Sequence, residues 1–79
     1  MADTLAWAYY QKGSYGLAAD LLEGALRKSP QNPTYHFHLG MAYQKLNNSS
    51  KAKEHLEKAL QINPKFSKAD QARDALGQL

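Results

Sequence analysis

Cysteine is absent from the 79-residue chain, which excludes a disulfide framework and a thiolate metal site. β-Branched residues are limited to Thr4, Thr34 and Ile62, and no alternating apolar–polar run is present. The longest apolar runs span only a few residues, so no direct membrane insertion is expected. These absences favour one small helical domain whose core is barely sufficient for stability.

The charge is mildly basic, with ten lysines and arginines against seven acidic residues. The excess lies in residues 33–66, where five lysines are diluted by two glutamates. A nucleic-acid-binding domain usually gathers its basic residues into one dense patch or stripe. No nucleic-acid partner is therefore expected.

The residue types that carry catalysis are not arranged for it. There is no glycine-flanked serine elbow and no glycine-rich phosphate loop. His36 and His38 are two residues apart, so on a helix they point about 200° away from each other and cannot chelate one ion. His55 belongs to a different helical segment, and no acidic residue completes a ligand set. We predict a non-enzymatic protein without metal or cofactor, and we interpret His36 as a partly buried core residue.

The chain repeats itself after 34 residues. Between residues 1–34 and 35–68 nine positions are identical in that register, and eight of the nine are apolar, aromatic or proline. Solvent-facing positions drift while core positions do not, so this selection indicates an inherited packing unit. The identical pairs are Leu5/Leu39, Ala8/Ala42, Tyr9/Tyr43, Ala18/Ala52, Leu22/Leu56, Glu23/Glu57, Ala25/Ala59, Leu26/Leu60 and Pro30/Pro64.

Each unit has helical periodicity. Leu5, Ala8 and Tyr9 form an i, i+3, i+4 stripe, and a second stripe follows a break at Gly13. Asn47 takes the place of that glycine in the second unit, as the next most tolerant residue. The last helix is expected to start with a capping box made by Ser67 and Asp70. The pattern predicts helices at about 3–12, 15–28, 33–46, 49–62 and 67–78.

A helix–turn–helix unit of this length with these residues resembles the tetratricopeptide repeat. The resemblance implies an all-α fold: an α-solenoid of antiparallel helix pairs, with two repeats and a C-terminal capping helix, five helices in total. We predict a single domain over residues 1–79, with repeat 1 at 3–32, repeat 2 at 33–66 and the capping helix at 67–79. The matching positions are Leu5, Ala6, Tyr9, Ala18, Leu22, Ala25 and Pro30 in the first unit, and Leu39, Gly40, Tyr43, Ala52, Leu56, Ala59 and Pro64 in the second.

The two ends of the chain differ. The last segment lacks the repeat pattern, which is expected of a closing helix at a natural C-terminus. The first helix starts without a cap and carries Trp7 and Tyr10 off its core stripe, so we expect a fragment of a longer repeat protein. The sequences around Trp7 and Phe37 are similar to C-terminal repeats of bacterial tetratricopeptide proteins, those of exosortase-associated lipoproteins in particular. The localisation of the protein stays unknown, with the bacterial cytoplasm and the periplasm as the two alternatives.

The resemblance also implies a binding surface. In the family, the first helix of each repeat lines a concave groove that receives an extended peptide or a partner's helix. Carried over by register, the groove residues here are Trp7, Tyr10, Phe37, His38, Met41, Gln44, Lys45 and Lys68. The four large apolar ones among them would form a patch bigger than a monomer usually leaves exposed. The implied function is a non-catalytic protein–protein interaction module.

Two alternatives remain open. Some of these side chains could pack into a second core or against further repeats. The same face could instead cap a longer array or form a homodimer, with no separate ligand. The family also contains clamps for the C-terminal carboxylate of chaperones. Of the five clamp positions only Lys68 matches in this chain, and Asp3 would repel a carboxylate. A carboxylate clamp is therefore not expected.

Overall fold

A computed structural model describes residues 2–79, with side chains described from Thr4 onward. Its regular secondary structure consists of α1 (Ala2–Gln11), α2 (Tyr15–Lys28), α3 (Pro33–Lys45), α4 (Ser49–Ile62) and α5 (Ala69–Gly77). Every predicted helix is present, and its ends lie within two residues of the prediction. Each helix packs against the next one along the chain, and α1 also touches α3. The predicted all-α solenoid of five helices is confirmed.

The two repeats turn through the same backbone motif. Gly13 has φ of 88° and Asn47 has φ of 62°, so both occupy the left-handed region. In the first turn Ser14 N–H donates to the carbonyl of Tyr9 and Gly13 N–H donates to that of Tyr10, and both bonds recur 34 residues later. This pair of bonds is the Schellman motif, which satisfies the last carbonyls of a helix. The prediction for both turns is confirmed.

Asparagines cap α3 and α4. The side chain of Asn32 accepts a hydrogen bond from Tyr35 N–H at 3.2 Å, with Pro33 in the first turn. The side chain of Asn48 accepts from Lys51 N–H at 3.2 Å in the same way. Each bond satisfies one of the backbone donors left over at a helix start.

The start of α5 differs from the prediction. The helix begins two residues later than expected, its N-cap is Lys68, and no side chain caps it. The Ser67/Asp70 capping box is therefore wrong. The carboxylate of Asp70 instead accepts from Arg73 at 3.1 Å, and a second nitrogen of Arg73 donates to the carbonyl of Pro64 at 2.7 Å. Arg73 thus ties α5 to the loop that precedes it.

Apolar side chains form two clusters. The first lies between α1, α2 and α3 and reaches the start of α4, and the second joins α3, α4 and α5. The helices cross on small residues, so adjacent axes can approach closely. At Gly40 the approach is closest, because an added Cβ would lie 2.7 Å from Cγ of Leu56. Of the described helices, none is long and apolar enough to cross a membrane.

Leu5, predicted in the core, is exposed. It is 49% exposed and Ala8 is also exposed, whereas their counterparts Leu39 and Ala42 are fully buried. The difference follows from the order of the helices. Helix α2 packs on the side of α3 that carries Leu39 and Ala42, and no described element packs on the corresponding side of α1.

Candidate functional site

Helices α1 and α3 carry most of the predicted groove residues at equivalent positions, 34 residues apart. Trp7 on α1 corresponds to Met41 on α3, and Tyr10 corresponds to Gln44. All four side chains are half-buried, and Lys45 at the end of α3 is exposed. The equivalence explains how the repeat builds one surface from separate helices, since equal positions on stacked units face the same way.

A row of aromatic rings connects α1 to α3. The ring of Trp7 stacks on that of Tyr10 at 4.4 Å between centroids, with 5° between the planes. It also stacks on the imidazole of His38 at 4.1 Å and 19°. Tyr10 in turn meets the edge of Tyr15 on α2 at 5.2 Å. Such pairs contribute ~0.5–1.5 kcal/mol each beyond burial. Trp7 is therefore held in one orientation by its own chain.

Two predicted groove residues are buried. Phe37 is 1% exposed and belongs to the second core cluster, where Phe66 meets its ring at 6.1 Å. His38 is 6% exposed and lies against Trp7. Neither side chain can present surface to a partner, and the structure corrects the expectation for both. The alternative of a second core holds for Phe37, because α5 and the loop before it cover that position.

Six predicted residues remain accessible: Trp7, Tyr10, Met41, Gln44, Lys45 and Lys68, here called the groove set. Burial, followed by the charge of Tyr15, raises the pKa of Tyr10, so its hydroxyl stays protonated and available as a donor. The groove set combines half-buried aromatic and thioether surface with two lysines. The side chain of Asp3, invoked against a carboxylate clamp, lies outside the described residues.

A second polar constellation, which sequence reasoning missed, joins α3 and α4. Nδ1 of His36 lies 3.0 Å from Nδ1 of His55, and Nε2 of His36 lies 2.9 Å from the carbonyl oxygen of Pro30. The two imidazole planes are 23° apart. His36 is 8% exposed, so its prediction as a partly buried core residue is confirmed.

The carbonyl of Pro30 orients His36 in this pair. A carbonyl only accepts, so Nε2–H of His36 donates to it, and Nδ1 of His36 shares a hydrogen bond with Nδ1 of His55. Burial first, and then the nearby His36, lower the pKa of His55; Glu54 and Glu23 act in the opposite sense. The histidine pair therefore links α3, α4 and the loop between α2 and α3.

Tyr43 extends this network towards α2. Its hydroxyl donates to the carboxylate of Glu23, and its ring stacks on that of His55 at 5.8 Å and 17°. Burial, the hydrogen bond and the charge of Glu23 raise the pKa of Tyr43 to about 12. The ammonium of Lys51 lies over the same ring, 5.3 Å from its centroid. The hydrogen bond between Tyr43 and Glu23 is a polar contact that connects the second repeat to the first.

A surface depression of about 490 Å³ lies beside the histidine pair, and no groove-set residue lines it. Seven of its eight lining residues belong to α4, and four of the eight are charged. No group of three or more metal-ligating side chains occurs among the described residues. The lining residues are His36, Ser50, Lys53, Glu54, His55, Glu57, Lys58 and Gln61.

The comparison of the two repeats could have predicted the pairing of His36 with His55. His36 and Tyr43 are seven residues apart, two turns on the same side of α3. His55 corresponds to Leu21 of the first repeat, an apolar position that packs on the core. A polar ring in that place needs a partner from the facing helix, and His36 is the donor and acceptor within reach.

Two family models match the sequence. One, described as "Tetratricopeptide repeat", matches residues 33–66, and another, described as "TPR repeat", matches residues 7–47, which is 41 of the 79 residues. No curated protein matched the chain. Repeats of this kind generally mediate protein–protein interactions, and the family is generally non-catalytic. With its 34-residue unit, its paired helices and these matches, the chain belongs to the tetratricopeptide-repeat family.

Proposed function

We propose that this chain is a non-catalytic binding module that holds a peptide or partner helix against the groove set. The observation that carries the proposal is the stacked trio of Tyr10, Trp7 and His38. It fixes the half-buried indole of Trp7 at the position of α1 that corresponds to half-buried Met41 on α3. Orienting a large aromatic side chain before binding reduces the conformational entropy that association costs.

The buried residues have a supporting role in this proposal. His38 stacks on Trp7, Phe37 lies against His38, and Phe66 contacts the ring of Phe37 in the core. Aromatic and methionine anchors in a desolvated centre are what interface hot spots favour. Trp7 and Met41 are the anchors, and Gln44 supplies an amide that can bond to a bound backbone.

Two lysines narrow the chemistry of the partner. Lys45 is exposed at the end of α3, and Lys68 is half-buried at the N-cap of α5. Cations at the edge of an apolar site steer binding towards acidic segments and add to specificity more than to affinity. The preferred ligand is thus an apolar or aromatic segment with acidic flanking residues.

Selection from a phage-displayed peptide library without tryptophan would test this function. Emission from Trp7, the one tryptophan in the chain, would report binding of each selected peptide to the parent chain, and isothermal titration calorimetry would measure the same binding in every variant, including one without tryptophan. We expect Trp7→Ala to weaken binding at least tenfold, and Lys45→Glu to weaken acidic peptides several-fold. Lys45 is exposed, so the second variant cannot act through misfolding.

Leu17→Ala is the matched control, because Leu17 is 54% exposed and lies outside the groove set. It should leave affinity unchanged, and circular dichroism would establish that each variant keeps its helices. Phe37→Ala is unsuitable as a groove variant, because it removes a fully buried side chain of the core. Selected peptides that bind Trp7→Ala and Lys45→Glu as tightly as the parent chain would refute the groove.

A further inference from the structure

The imidazoles of His36 and His55 meet edge to edge, nitrogen to nitrogen. Their Nδ1 atoms are 3.0 Å apart, their ring centroids are 5.3 Å apart, and their planes differ by 23°. A centroid separation of 5.3 Å is close to the longest that a 3.0 Å contact permits, so the two nitrogens lie in line between the ring centres. A metal ion between them would need about 2 Å to each nitrogen, so the gap has room for one hydrogen only.

The number of hydrogens in this pair limits how many protons it can bind. Nε2–H of His36 is committed to the carbonyl of Pro30. When the neutral pair takes up one proton, a single hydrogen still lies between the two Nδ1 atoms, and the outer Nε2 of His55 carries the other. When it takes up a second proton, both Nδ1 atoms carry a hydrogen and two donors face each other. The hydrogen bond therefore survives the first proton and not the second.

The two rings differ in their freedom to separate. His36 is 8% exposed and is held at its far nitrogen by the carbonyl of Pro30. His55 is half-buried, and it lines the surface depression of about 490 Å³ together with the carboxylates of Glu54 and Glu57. Carboxylates favour the charged form of a nearby imidazole. The ring of His55 is therefore the one that can turn away, into a space that accepts its charge.

We propose that the histidine pair is a proton-operated latch between α3 and α4. One added proton leaves the latch closed, and the second turns the ring of His55 into the depression. In turning, His55 gives up its hydrogen bond to His36 and its stacking on Tyr43, so α4 is held less tightly against α3. The lining of the depression and the groove set have no residue in common, so the latch stands whether or not the groove binds a peptide.

The surroundings of the pair place its opening in the acid range. Burial first, and then His36 on α3, lower the pKa of His55 below its usual 6.5. Glu54 on α4 and Glu23 on α2 favour the charged ring, whereas Lys51 on α4 opposes it. The latch is therefore closed at neutral pH and opens as the pH falls through the lowered value. Other titratable groups beside the pair are Tyr43 on α3 and Lys53, Glu57 and Lys58 along the depression.

Nuclear magnetic resonance of the nitrogen-15-labelled chain tests the latch directly. We expect a scalar coupling across the hydrogen bond between the two Nδ1 atoms at pH 7.5, which persists through the first proton and vanishes with the second. The pair should titrate in two steps at least one pH unit apart, because the two sites interact. Absence of the coupling at pH 7.5, or titration of both rings in one common step, would overturn the proposal.

Amide exchange separates opening of the latch from general unfolding. At the second step, protection factors in α4 around His55 should fall at least tenfold, while those in α1 and α2 and the circular dichroism stay unchanged. Loss of helix content in the same step would overturn a local latch.

Two variants assign the steps to the pair. In His36→Gln, His55 should titrate in a single step, at a higher pH than the second step of the parent chain, because the group that opposes its charge is gone. Lys51→Gln is the matched control: it removes a nearby charge and leaves the hydrogen bond in place, so both steps and the coupling should remain. Two separate steps in His36→Gln would overturn the proposal, and the coupling in the parent chain tests it even if that variant does not fold.

Discussion

Substitution of Gly40 by alanine should destabilise the protein, although alanine is the better helix former. An added Cβ would lie 2.7 Å from Cγ and 3.0 Å from Cδ2 of Leu56, and 3.1 Å from the carbonyl oxygen of Ala52. Leu56 is fully buried and its Cγ is a branch point, so the side chain has nowhere to move. Overpacking of this kind costs up to ~3 kcal/mol, against a gain of ~1 kcal/mol in helix propensity. The expected loss is about 2 kcal/mol.

Gly24 on α2 offers a matched control, because nothing lies within 4 Å of its added Cβ. Gly24→Ala should stabilise the protein by ~0.4–1 kcal/mol, through the smaller entropy of the unfolded chain. Urea titration followed by circular dichroism would measure both variants, which should move in opposite directions. In a Leu56→Ala background, the cost of Gly40→Ala should largely disappear, because the two changes are coupled through one contact. Equal stability of the Gly40→Ala and Gly24→Ala variants would refute the close crossing of α3 and α4.

The histidine and tyrosine network makes two further predictions. His55 has a pKa lowered below 6.5 in the fold, so the stability that its neutral form contributes is fully present above about pH 6.5 and lost as pH falls through the lowered value. The thermal midpoint of the parent chain should therefore drop more between pH 7.5 and pH 5 than that of His55→Gln, and parallel profiles would contradict this. Tyr43, with its pKa raised from 10.0 to about 12, contributes stability that is present below pH 10 and lost as pH rises towards 12. Absorbance titration should show a phenol that titrates near pH 12 and disappears in Tyr43→Phe, and Glu23→Gln should bring that phenol closer to pH 10.

Sequence periodicity predicted the helices well because each boundary has a local cause. Gly13 and Asn47 end helices through their own backbone freedom, and Asn32 caps α3 within three residues. The start of α5 was mispredicted because Arg73, rather than the helix terminus, engages Asp70. Arg73 also donates to the carbonyl of Pro64, nine residues earlier, and this contact cannot be predicted from local sequence spacing.

The groove residues were harder to predict, because the solvent exposure of each side chain depends on which other parts of the chain cover it. Trp7 and Phe37 both look like free aromatic residues beside a core stripe. Phe66 covers Phe37, whereas Trp7 stays half-exposed on the row that links α1 to α3. Leu5 shows the opposite case, since its repeat position is a core position only where another helix covers it. The position of a residue in the repeat predicts which face of its helix it lies on, but the neighbouring helices and loops determine whether that face is exposed to solvent.

The stacked indole gives the molecule an internal optical reporter. Trp7 is the one tryptophan in the chain, and its two ring neighbours are Tyr10 on its own helix and His38 on α3. Any ligand that separates α1 from α3, or that displaces Tyr10, must change the surroundings of this fluorophore. Rearrangements between the two repeats can thus be followed in the unlabelled protein, at the point where the repeats meet.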